Sequence, residues 1–258
     1  MALMDELNNA AREARRVQYE LMKTLGLGRR TLVAEGDSWF QHPIEVDLID
    51  ALSCLPCGYR VRSLGAAGDW LGHMLEQREF VAAIREEDPE AFLFSGGGND
   101  VVSGSLHGLL RDSPNATDAD QCIDFARLDG EMSRLAALYQ RVYALVQAAK
   151  PDLPMFVHGY AHPDPGRKYY ILLLDWGLAD TLAARHVPGA LWDPVAARII
   201  DRFNDMLATL AGQLPHLHHV DLRDTVDRND FVDELHLNSF AALKAATRFR
   251  EEIERVLA

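Results

Sequence analysis

Apolar and polar positions follow two rhythms along this chain. Leu3, Leu7, Ala10, Ala14, Val17, Leu21 and Leu25 recur at steps of three and four, the period of an amphipathic helix, which Gly26 and Gly28 then stop. Short apolar runs of strand length follow: T-L-V-A-E-G at 31–36, Y-R-V-R-S-L-G at 59–65, A-F-L-F-S-G-G at 91–97, P-M-F-V-H-G-Y at 154–160 and H-H-V-D-L at 218–222. Helical patterns fill 45–54, 69–87, 127–149, 193–213 and 239–257. Strands separated by helices need crossover connections, so the pattern predicts an α/β fold: a doubly wound parallel sheet of about five strands over 31–258, preceded by a helical extension over 1–30.

Two segments exceed a minimal strand-helix alternation, 101–126 and 161–192. Both leave from carboxyl ends of predicted strands, where open α/β sheets bind ligands, and long irregular insertions in compact domains are commonly functional.

Composition narrows the function. The 258 residues suffice for one large core, and 48% hydrophobic with 25% charged residues is ordinary for a globular chain. A formal net charge of −13 argues against a phosphate-tracking nucleic-acid surface and against anionic membranes. No segment reaches the roughly 20 apolar residues of a membrane span, and the N-terminal segment lacks the apolar stretch of a signal peptide, so the expectation is a cytoplasmic protein. Cys54 and Cys57 have a redox or half-zinc spacing. They close a helical stretch instead of opening one, and no second pair exists for zinc, so they read as incidental thiols, as does Cys122.

Polar clusters collect at the predicted strand ends: Gly36-Asp37-Ser38, then Gly65-Ala66-Ala67-Gly68-Asp69, then Gly96-Gly97-Gly98-Asn99-Asp100, and after the last strand Asp233-Glu234-Leu235-His236. Acyl transfer needs a nucleophile, a base, a group that orients the base, and donors for an oxyanion. Ser38 supplies a hydroxyl and His236 a base; Asp233, three residues earlier, can hold the imidazole. Asn99 supplies an amide, and Gly68 a backbone N–H that no side chain obstructs. Each cluster alone is common, and each has a plain structural reading. Ser38 can cap a helix, Asn99 can serve a turn, and Trp39, Phe40 and Trp70 are core residues by base rate, although their place beside Ser38 and Gly68 also suits a pocket wall. The triple glycine lacks the rest of a phosphate-binding motif, and Gly159 and Pro163 argue against His158 and His162 as helical metal ligands.

Taken in order, the four blocks resemble the SGNH (GDSL-type) hydrolase superfamily over residues 31 to about 240. The resemblance implies a three-layer α/β/α sandwich with a flavodoxin-like five-stranded parallel sheet. It also implies Ser38 as nucleophile in a triad with His236 and Asp233, and the Ser38 N–H, Gly68 N–H and Asn99 amide as the oxyanion hole. No metal or organic cofactor is required. Trp39 and Phe40 depart from the aliphatic residue the family carries after Gly-Asp-Ser, and Leu237 from its usual proline after the histidine. The expected function is therefore a serine esterase or acyl-hydrolase acting on a small-molecule, lipid or sugar ester. An acyltransferase to a sugar or alcohol, and a noncatalytic binding protein on the same fold, are the alternatives. The extra N-terminal helix either covers the sheet or meets a partner such as a second copy.

Overall fold

The computed structural model describes residues 2–54, 58–167 and 177–258. Its strands are β1 (Thr31–Gly36), β2 (Arg60–Ser63), β3 (Ala91–Ser95), β4 (Met155–His158) and β5 (Leu217–Val220). They pair in parallel in the order β2-β1-β3-β4-β5, with Val33 opposite both Arg62 and Phe92. Every residue of β3 and β4 is buried, as a central strand covered on both faces requires.

The helices are α1 (Ala2–Thr24), α2 (Leu48–Ser53), α3 (Leu71–Gln77), α4 (Glu79–Glu87), α5 (Leu106–Leu109), α6 (Ala119–Cys122), α7 (Phe125–Ala149), α8 (Leu178–Ala184), α9 (Trp192–Gln213) and α10 (Ser239–Leu257). Helices α4, α7 and α9 pack as one layer, and α2 and α10 as the other, giving the doubly wound sheet that the apolar pattern predicts and the three-layer α/β/α sandwich that the resemblance implies. Among the described residues no helix is long and apolar enough to cross a membrane.

Three local expectations change. The helix predicted over 69–87 is two helices, because Arg78 takes a left-handed conformation (φ 54°). The five-residue step from buried Leu75 to buried Phe80 breaks the helical rhythm, and the turn at Arg78 resets it so that both stripes face inward. The segment 101–126, expected as loop, opens with a π-helical turn (Asp100–Ser105) and continues through α5 and α6. The β-branched Val101 and Val102 and the glycine at 104 have low helix propensity, which hides this turn in the sequence. Gly104 lets the Trp70 ring approach closely, since a Cβ there would meet the ring at 2.9 Å. Within 161–192, α8 forms over 178–184, while residues 168–176 lie outside the described part, as does Cys57. Cys54 is exposed and Cys122 buried.

α1 turns a different face inward than its apolar stripe suggests. Val17, Leu21 and Leu25 are exposed, whereas Arg15, Tyr19 and Met22 are buried. Polar bonds choose this face. Arg15 donates to the Phe40 carbonyl and the Asp47 carboxylate, Tyr19 Oη to Glu87 at 2.6 Å, and Asn8 exchanges two hydrogen bonds with Ala67. The helix thereby covers edge strand β2 and touches both layers.

Candidate active site

Ser38 lies two residues beyond β1, and the β3 end that carries Asn99 lies next to it, because β1 pairs with β3. Between these strands the chain order reverses, with β2 on one side and β4 on the other, so the connections diverge and leave a crevice. The turn bearing Ser38 is fixed by Asp37, which is 2% exposed. Its carboxylate accepts from the Trp39 N–H at 3.1 Å, from Ser95 Oγ at 2.8 Å and from the Tyr160 hydroxyl. Its carbonyl accepts from the N–H groups of Phe40 and Gln41. Burial pushes the Asp37 carboxyl above its usual range, against the hydrogen bonds from Tyr160, Trp39 and Ser95 that pull it down.

His236 and Asp233 come from the loop between β5 and α10. A short antiparallel bridge, Phe231 with Leu237, and a hydrogen bond from Val232 N to His236 O at 2.8 Å pinch this loop closed. Asn238 caps α10 by accepting from Phe240 N and Ala241 N, so the helix starts immediately beyond the histidine. His236 Nε2 is 2.7 Å from Ser38 Oγ, and His236 Nδ1 is 2.8 Å from Asp233 Oδ2. All three residues are buried. Burial would raise the Asp233 carboxyl, but His236 and the N–H groups of Leu235 and His236 hold it below the ordinary carboxylate value. An ionised Asp233 fixes the tautomer with the proton on Nδ1 and leaves Nε2 to accept from Ser38.

Asn99 Nδ2 donates to the Asp69 carbonyl at 2.8 Å, which joins the third polar block to the second. Gly68, one residue earlier, has φ +82°, a conformation that side chains disfavour, and is exposed. Ser38, Trp39, Asn99 and His236 share one cavity of about 730 Å³, measured out to its open mouth. Gly68 is not part of its described lining.

The three aromatic candidates separate. Trp39 lines the cavity, and its Nε1 donates to Leu235 O at 3.2 Å, bridging the serine turn to the histidine loop. Phe40 points away into the core: it is fully buried against His158 and Phe249. Trp70 stands over Gly104, 41% exposed and outside the described lining. Its indole braces the π-helical turn behind Asn99 instead of facing Ser38.

Other residues of the site have no local signature in the sequence. The Tyr160 hydroxyl donates to Asp37 and accepts from Gly98 N at 3.0 Å, so one atom ties the serine turn to the asparagine block. His158 Nδ1 accepts from Tyr160 N, so Nε2 carries the proton and donates to Ser95 Oγ at 2.9 Å. Burial drives its pKa down to about 3. Glu234 accepts from Leu178 N and Ala179 N at the start of α8, tying the histidine loop to the 161–192 insertion. His42 stacks edge-on against His236 with centroids 5.0 Å apart, and its Nδ1 accepts from the N–H groups of Ile44 and Glu45. His42, Asp233 and His236 form the one three-residue cluster of metal-ligand types among the described residues. Two of its members are bonded to each other. His158 and His162 are not in it, and His162 pairs with Asp201 at 2.9 Å.

No family model and no curated protein matches the sequence. Solved structures do match the backbone. A family 3 carbohydrate esterase from Clostridium thermocellum superposes at TM-score 0.52 with 14% identity, covering 88% of this chain and 96% of that one. An extracellular lipase from Streptomyces rimosus superposes at 0.55 with 14% identity, covering 89% and 100%. A lipase from a goat rumen metagenome superposes at 0.58 with 12% identity, covering 86% and 97%. The chain has the SGNH-hydrolase fold. At such identities the likeness extends to the arrangement of the backbone, and in this SGNH scaffold the four polar blocks lie along the carboxyl edge of the sheet.

Proposed function

We propose that this protein is a serine hydrolase of carboxylic esters working through an acyl-enzyme. One observation carries the reading: Ser38, His236 and Asp233 form a buried relay with contacts of 2.7 and 2.8 Å at the wall of a cavity that Asn99 also lines. His236 Nε2 takes the Ser38 proton as Oγ attacks the ester carbonyl. Asp233 stabilises the imidazolium without itself taking the proton. The oxyanion is held by the Ser38 N–H, the Gly68 N–H and the second amide hydrogen of Asn99, the first being engaged by Asp69. His236 then returns the proton to the departing alcohol, and water, activated by the same imidazole, releases the acid. The esterases and lipases that share the fold support ester hydrolysis as the reaction class. Ser38→Ala is expected to abolish release of p-nitrophenolate from a short p-nitrophenyl ester; retention of more than a few per cent of the wild-type rate would contradict the mechanism.

A further inference from the structure

The wall of the cavity beside Ser38 has a chemistry of its own. On α9, Ala196, Ile199, Ile200 and Phe203 recur at steps of three, one and three, so one face of the helix supplies four residues of the lining. Val101 and Val102 of the π-helical turn line the same cavity. Most of these side chains are buried, while Ile200 and Val102 are half-buried. Among the described residues the lining contains no Lys, Arg or Glu. Most of its polar groups are already engaged, Asp37 by Tyr160, Ser95 and Trp39, and His236 by Ser38 and Asp233, and the remaining Asn99 amide hydrogen is the one reserved for the oxyanion. A charged or hydroxylated group entering here would lose its hydration with little in return, whereas methylenes gain from burial.

We propose that this cavity is an acyl-chain site for an uncharged aliphatic acyl group longer than acetyl, with Ala196 and Ile200 setting the length it accepts. The inference rests on the serine-hydrolase reading and adds the substrate class. The two halves of an ester make different demands. The alcohol must leave before water enters, while the acyl chain stays on Ser38 Oγ through deacylation and benefits from an apolar wall throughout. On the side of His42, Val46 and Leu237 only a narrow crevice borders Ser38 and His236, so the larger cavity is the one with room for a chain. Ala196 is the smallest residue of the α9 lining and Ile200 its half-buried member, so a larger side chain at either position presses on the cavity.

The test is kcat/KM for p-nitrophenyl esters from acetyl to octanoyl with the wild-type protein, Ala196→Leu and Ile200→Trp. The wild type is expected to gain about fourfold per added methylene from acetyl to hexanoyl, the rate equivalent of burying one methylene. Ala196→Leu or Ile200→Trp is expected to keep acetyl hydrolysis within about threefold and to lose tenfold or more on hexanoyl. A wild-type profile that is flat or falls beyond acetyl overturns the proposal, as does a gain that tracks the alcohol of alkyl acetates instead of the acyl chain. Equal loss across the series in both variants also overturns it. Failure to hydrolyse any ester, with no fluorophosphonate adduct on Ser38, is a different result and removes the serine-hydrolase reading beneath it.

Discussion

Asn99 can stabilise an oxyanion only if its amide is held in place, and its bond to the Asp69 carbonyl does that with one hydrogen while leaving the other. Asn99→Ala is expected to lower kcat by about 10²–10³ with a much smaller change in KM, the signature of a donor used in the transition state. A steady-state comparison in which KM carries most of the loss would assign Asn99 to binding or to the turn instead. At this scale Ser38, Asn99, Asp233 and His236 could be singled out from sequence because each sits in a short block whose residue types are chemically restricted. Tyr160, Ser95 and His158 could not. Their bonds to Asp37 and to one another cross between β1, β3 and β4, up to 123 positions apart, and nothing local marks them. Phe40 and Trp70 show the same limit in reverse: being next to Ser38 or Gly68 in the chain does not decide which way a ring points.

The elements were legible wherever burial follows a single period. All five strands and the long helices lie within a few residues of the positions their apolar spacing indicates. The π-helical turn and the break at Arg78 were not, since both depend on side chains from elsewhere or on one residue's backbone angle. The face of α1 is the clearest case. Val17, Leu21 and Leu25 of its apolar stripe lie outside, while Arg15 is buried and paired with Asp47. The Arg15 and Asp47 side chains are only 10% and 2% exposed, and Asp47 also caps α2. Arg15→Ala therefore strands a buried carboxylate and should cost about 3 kcal/mol or more in urea-induced unfolding. A loss below about 1 kcal/mol would show that the apolar contacts of α1 hold it without this pair.

Across the whole molecule, buried histidines make stability depend on pH near neutrality. Burial lowers His158 to about 3 and His42 to about 4 from an ordinary 6.5, the latter also through the nearby His236. Between pH 7 and 5 the unfolded chain therefore takes up protons that the folded chain refuses, and folding loses free energy as pH falls. Glu35, whose carboxyl burial pushes up, acts in the opposite direction, so the histidine contribution is best read as a difference. The stability advantage of the wild type over His158→Gln is expected to shrink by about 2 kcal/mol from pH 7 to pH 5. An advantage that stays constant over this range would mean that His158 titrates normally in the folded protein.

The central claim concerns Ser38, and the most direct measurement compares wild type with Ser38→Ala on one short p-nitrophenyl ester, with the intact mass of each protein recorded after exposure to a fluorophosphonate. The relay from Asp233 through His236 predicts turnover and a single adduct on Ser38 in the wild type, and neither in the variant. Turnover in Ser38→Ala above a few per cent of wild type, or a wild-type protein that neither turns over the ester nor takes the adduct, would contradict it.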